Sequence, residues 1–232
     1  MGVRSVKMVN STGLIAWLYD LGMWLSRFMY LHILWLAFTL LGLGFFGIAP
    51  ATAALVAVTY KWFEDDSEIP IFKNFFSVYK QEFFKANGIG WIMFALNLFL
   101  YIDIRIARQL IQNYFFYFSI IFIALFLFVV FLYIFTVFAR YDLKFSHYFR
   151  QAFLITIVRP FESIAMPISL VLISILYYYL PALPILMGSS LAAFPVVWFG
   201  YRACVQVEDK KTRLKKGQEE KEMEAKKDDE NN

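Results

Sequence analysis

The sequence predicts an all-α, polytopic transmembrane helical bundle with about six crossings and interfacial amphipathic helices. Three observations carry this. The 232 residues are 60% hydrophobic and 20% aromatic but only 17% charged, against about 45–50% apolar and about 25% charged in a soluble domain. The excess lies in four uncharged runs, Phe28–Tyr60, Ala86–Ile102, Gln109–Ala139 and Ser163–Tyr201, and a bilayer crossing needs about 20 such residues. Nothing alternates with the two-residue period of a membrane β-barrel.

The first segment, "MGVRSVKMVNSTG", shows no apolar core followed by a small-residue cleavage site, so no signal peptide is expected. Leu14, Trp17, Leu18, Leu21, Leu25 and Phe28 then recur at helical spacing ahead of the first span, Phe28–Ile48. The end of that span contains G-x-G-x-x-G at Gly42, Gly44 and Gly47. A dinucleotide loop needs a buried strand before those glycines and a helix after them. A long apolar helix precedes them instead, and the cofactor reading fails. Small residues at this spacing let membrane helices approach, so Gly44 and Gly47 are expected at a packing face.

Proline breaks helix interiors but suits a first turn. Pro50, with Thr52 beside it, is therefore expected to begin a return helix, "PATAALVAVTYKW". The alternative is one long helix kinked at Pro50. Phe72–Asn87 follows as an amphipathic stretch, with an aromatic stripe containing Phe72, Phe76 and Phe83 and basic flanks at Lys73, Lys80 and Lys85. Two hairpins complete the domain: Gly88–Ile102 with Asn113–Ala139, and Phe161–Leu180 with Ala182–Gly200. The second is preceded by another amphipathic stretch, Phe145–Val158. An amphipathic segment before each of three hairpins suggests an internal repeat. Residues 1–205 form this membrane domain, and residues 206–232, highly charged and nearly without apolar residues, are expected to be a frayed helix or a disordered cytoplasmic tail.

Chemistry-bearing residues are sparse. Cys204 is the single cysteine, His32 and His147 are far apart in sequence, and no catalytic residue, metal or cofactor site is expected. His32, Ser189 and Ser190 read as packing groups. Asn97, mid-span in "FALNLFL", is expected to hydrogen-bond a neighbouring helix. Arg159 and Glu162 flank Pro160 as a boundary charge pair, Glu162 placed where a helix N-terminus favours a carboxylate.

"GIAPATAAL" (Gly47–Leu55) followed by "IPIFKNFFSVYKQEFFKAN" (Ile69–Asn87), with a later Arg159–Pro160, resembles the YesL-like family of bacterial membrane proteins of unknown function. The resemblance covers most of residues 14–205. Members typically occur beside binding-protein-dependent carbohydrate importers of Gram-positive bacteria. The resemblance thus implies a non-enzymatic accessory or regulatory subunit of an oligosaccharide ABC importer in the bacterial plasma membrane. Its expected partners are lipids and a permease subunit, without nucleic acid. A small stand-alone or oligomeric transporter or channel is the alternative.

Lys and Arg cluster before the first span, between Lys61 and Lys85, between Arg140 and Arg159, and after Arg202. Basic connections favour the cytoplasmic side, so six crossings with both termini inside are predicted. In a Cys204→Ser background, cysteines replacing Ser5 and Asp66 should resist an impermeant maleimide added outside the cell. External labelling of position 66 would overturn this topology.

Overall fold

The structure is a computed structural model that describes residues 13–64, 69–110 and 114–230. The described residues form eight helices and no strand: α1 (Gly13–Leu41), α2 (Phe45–Glu64), α3 (Ile71–Gln81), α4 (Phe83–Leu110), α5 (Tyr114–Arg140), α6 (Phe145–Val158), α7 (Pro160–Tyr179) and α8 (Ala182–Glu230). Six of them, all but α3 and α6, are long and apolar enough to cross a membrane. The chain is a multi-pass helical membrane protein.

The first break falls earlier than Pro50. Leu43 and Gly44 take φ of 60° and 69°, reversing the chain between α1 and α2, and Pro50 lies inside α2. Gly42 N–H bonds the Phe38 carbonyl at 3.0 Å and Gly44 N–H the Thr39 carbonyl at 2.9 Å, so this turn satisfies the end of α1 without help from the proline. Pro50 removes one ladder donor in the second turn of α2. The return helix therefore has 20 residues, about 30 Å, a full-length crossing rather than a short one.

Two further boundaries differ from the sequence reading. The Phe72–Asn87 stretch divides at Glu82, which caps α3, and Phe83 and Lys85 belong to the first turn of α4. The charged tail continues α8 as helix to Glu230; Glu, Lys, Gln and Ala are strong helix formers.

The helices are arranged with approximate threefold order. α2, α5 and α8 touch one another as a central triangle. α1 fills the groove between α8 and α2, α4 that between α2 and α5, and α7 that between α5 and α8. α3 lies along α2, and α6 along α5. The register of the second and third units is also shared. The caps Glu82 and Arg159, the buried pair Phe75 and Ala152, and Ile89 and Met166 each stand 77 positions apart, as do Thr59 of α2 and Thr136 of α5 one unit earlier. In the first unit the amphipathic stretch is continuous with its span as α1. The repeat suggested by the sequence is thus built into the packing.

The centre is tightly packed and mostly apolar. Ala51, Ala53, Ala54 and Val58 of α2, Tyr133, Ile134 and Val137 of α5, and Val197, Ala203 and Cys204 of α8 are buried together. Hydrocarbon tails are as apolar as leucine, so close backbone approach and dispersion hold such helices together. Gly200 illustrates this, since a Cβ there would stand 2.6 Å from Thr136 Cγ2.

The glycines between α1 and α2 act by different means. A Cβ on Gly47 would collide with the Thr39 carbonyl oxygen, and one on Gly42 with Gly47 itself, while Gly44 has open space around it. Gly44 is required for its left-handed backbone and not, as the sequence suggested, for a packing face. Gly44→Ala should cost about 1–2 kcal/mol, and Gly47→Ala should lower the unfolding temperature in detergent further. Equal melting of both variants and the wild type would refute this account.

Candidate functional site

Helix α3 carries four of the expected docking residues, Phe72, Lys73, Phe76 and Lys80. Phe75 is fully buried against Phe38 of α1, with ring centroids 5.3 Å apart. The Tyr79 hydroxyl donates to the Phe38 carbonyl at 3.0 Å. This leaves an outer edge where Phe72 and Phe76 stack in parallel at 6.1 Å and stand half exposed, with Lys73 and Lys80 beside them. The remaining two candidates are committed elsewhere. Phe83 packs on Tyr79 at 5.5 Å. Lys85 pairs with Glu82 at 3.3 Å and with Asp142 at 3.6 Å. Phe84, not singled out in the sequence, is 87% exposed next to this edge.

A polar locus lies deep in the bundle, where the sequence offered only packing groups. Met187 has φ −149° and interrupts α8. Ser189 N–H donates instead to His32 Nδ1 at 3.2 Å, and the Ser189 hydroxyl lies 2.8 Å from the same nitrogen. An Nδ1 that accepts a backbone N–H carries no proton, so the neutral ring holds its proton on Nε2. Trp35 stacks on His32 at 6.3 Å and donates its indole N–H to Thr52 at 3.1 Å. The Ser190 hydroxyl donates to the Phe28 carbonyl at 2.7 Å, and the Tyr177 hydroxyl to the Gly188 carbonyl at 2.7 Å. A cavity of about 660 Å³ borders His32, Trp35, Thr52, Tyr177 and Ser189. Residues 157 positions apart meet here, which local spacing cannot reveal; the signal was a histidine in one span and a serine pair after a glycine in another.

At one end of the central triangle, Arg140 of α5 binds Glu208 of α8 at 2.9 Å and also Glu64 of α2. The Tyr141 hydroxyl donates to Glu208 at 2.6 Å. Burial, and then this bond, push the Tyr141 hydroxyl well above its ordinary range, so it stays protonated and keeps donating. The guanidinium also lies 5.9 Å from the centre of the Tyr60 ring. One cation thus ties the ends of all three inner helices.

Arg159 and Glu162 stand at the boundary around Pro160, and among the described residues no ion pair joins them. Arg159 is the cap shared by α6 and α7, its carbonyl taking the Ser163 hydroxyl at 2.7 Å. Glu162 does sit in the first turn of α7, the position anticipated from the helix dipole. Asn97 bonds no neighbouring helix through its amide nitrogen. It donates to the Met93 carbonyl of its own helix at 2.8 Å and lines the cavity between α2, α4 and α5.

These features define a multi-pass helical bundle with buried polar joints and no cluster of three metal-ligating side chains among the described residues. The chain belongs to the YesL-like family of membrane proteins of unknown function. The family model "Protein of unknown function, DUF624" matches residues 28–104, which run from the middle of α1 into α4. The uncharacterized protein YteU of Bacillus subtilis (strain 168) is 35% identical over 187 residues, covering 80% of this chain and 84% of that protein. Uncharacterized YesL of the same organism is 38% identical over 147 residues, covering 62% and 68%, and uncharacterized YesV is 34% identical over 184 residues, covering 78% and 88%. No solved structure matches the chain.

Because Arg140 serves two carboxylates on two other helices, its removal should act on the bundle and not on a single pair. Arg140→Leu and Glu208→Gln should each lower the melting temperature. The double variant should fall short of their sum by a coupling of about 0.5–3 kcal/mol. Strict additivity would show that the cluster contributes nothing as a unit.

Proposed function

We propose that the protein is a non-enzymatic membrane subunit that docks on the permease of a carbohydrate ABC importer and assists or regulates it from within the bacterial plasma membrane. The observation that supports this reading is the α3 edge, where Phe72 and Phe76 present stacked aromatic rings with Lys73 and Lys80 along one flank, while Phe75 anchors the helix to the core. Exposed aromatics with adjacent basic residues suit a protein interface at the membrane surface. The apolar, close-packed centre favours a partner-binding role over conduction. The carbohydrate assignment rests on the family's usual association with such importers. Asp65, Asp66 and Glu68, whose acidity disfavours a purely lipid-facing loop, lie outside the described residues.

Stand-alone transport is the second reading, and one observation favours it. A helix break beside a histidine and several hydroxyls is a feature from which secondary transporters build substrate sites, and the α8 break at Met187, in the second turn of that helix, has that character.

Charge reversal separates docking from lipid anchoring. Lys73→Glu with Lys80→Glu should abolish co-purification of a permease subunit from gently solubilised membranes while the variant remains monodisperse. Unchanged co-purification would reject docking through this edge. Substrate flux by the purified protein alone in liposomes, lost in His32→Ala, would favour the second reading.

A further inference from the structure

Two of the three central helices carry an amphipathic helix along their outer side; among the described residues the third, α8, does not. α3 runs back along α2 and reaches the outer helix of the preceding unit, with Phe75 5.3 Å from Phe38 of α1. α6 runs back along α5 and reaches α4 in the same way, since a Cβ on Gly88 would stand 3.1 Å from the Phe145 ring. Each seat buries a side chain completely, Phe75 in one and Ala152 in the other. By the same order a third seat lies along α8, between α7 and α1. On that face Trp198 and Arg202 are exposed and Val205 is half-buried, at helical spacing. The Arg202 guanidinium lies 4.9 Å from the Trp198 ring centre and has no ion pair among the described residues.

The segment that holds this place in the sequence is the start of α1, Gly13–Leu21. It stands straight and uncovered. No residue from Ala16 to Tyr30 is buried, and Trp17 and Leu18 are 61% and 50% exposed. The remainder, Gly22–Leu41, rises about 30 Å, a full hydrocarbon thickness, so the apolar stripe of Gly13–Leu21 lies at the polar boundary of the bilayer. Gly22 divides the two parts, and a Cβ there would touch nothing within 4 Å. One turn on, the Ser26 hydroxyl donates back to the Met23 carbonyl at 2.8 Å. A glycine followed by a back-bonding serine is where helices bend.

Charge sets the register of the bent segment. α1 runs antiparallel to α8, since His32 meets Ser189 and Phe28 meets Phe194 at 5.2 Å. Continued outward at the same rise on both helices, this pairing places Asp20 level with Arg202. The two charges are opposite, and no ion pair joins them in the straight helix.

We propose that α1 bends at Gly22 and seats Gly13–Leu21 on the open face of α8, with Trp17, Leu18 and Leu21 turned inward and Asp20 paired with Arg202. The straight form leaves both apolar faces open and the bent form covers both, so this hinge sets whether that side of the bundle is free to receive a neighbouring protein. It is separate from the α3 edge and from the break in α8.

The test uses the full chain in nanodiscs, in a Cys204→Ser background with nitroxides on Tyr19→Cys and Phe161→Cys, both at exposed positions. Pulsed dipolar spectroscopy should show a short-distance population that Gly22→Ala, by stiffening the helix, depletes several-fold. Asp20→Arg should deplete it likewise, and adding Arg202→Asp should restore it. Identical distance distributions in the wild type and Gly22→Ala would overturn the proposal, and this comparison stands even if a charge variant misfolds. A short population that ignores Asp20→Arg would also overturn it, as expected of a helix resting on lipid. So would one that appears between singly labelled chains mixed in one disc, which would give the seat to a second copy.

Discussion

Every break in a membrane helix releases backbone donors and acceptors that hydrocarbon cannot satisfy, and the architecture follows from how each break is closed. Between α1 and α2 the freed N–H groups of Gly42 and Gly44 turn back onto Phe38 and Thr39. At Glu82 and Arg159 the cap N–H groups bond Val78 and Ile155, the same four-residue reach in both units. The Arg159 carbonyl gains the Ser163 hydroxyl as a further partner. At Met187 the solution is long-range, because the Ser189 N–H takes the imidazole of His32. Three breaks are closed locally, and the fourth joins the first helix to the last.

These closures explain why the amphipathic helices pack as they do. α3 and α6 each follow a central helix, fold back along it, and hand the chain to an outer helix at a capped break. A helix that was only a surface float would leave the outer side of α2 or α5 in lipid. Folded back, Phe75 and Ala152 reach complete burial at equivalent positions. The Arg140 cluster then fixes the ends of α2, α5 and α8 at a common level. Its carboxylates remain partly exposed, so the cluster aligns the helices more than it supplies stability.

Most of the architecture was legible in the sequence. Run length and charge spacing located the six apolar helices, and the Phe145–Val158 amphipathic segment appears with the same limits as α6. Pro50 misled because proline marks a helix start only when no stronger signal lies nearby; Leu43–Gly44 supplied the stronger one through positive φ. Glu82 was hidden because the hydrophobic period continues through it from Tyr79 to Phe83. The polar joints were least legible. His32 with Ser189, and Arg140 with Glu64 and Glu208, are pairings across 68 to 157 positions. Each partner alone looks like an ordinary packing or boundary residue.

The union of α1 with α8 also dictates an order of assembly. Each hairpin brings together segments adjacent in sequence, so it can form as soon as its second arm enters the bilayer. α1 is different, since one flank belongs to α2 and the other to a helix not yet synthesised. Until α8 arrives, the His32 imidazole faces the lipid without the Ser189 groups that complete it. A nascent chain that stalls before residue 189 therefore displays an unsatisfied polar group within the membrane, a mark by which quality-control machinery can tell an unfinished bundle from a closed one.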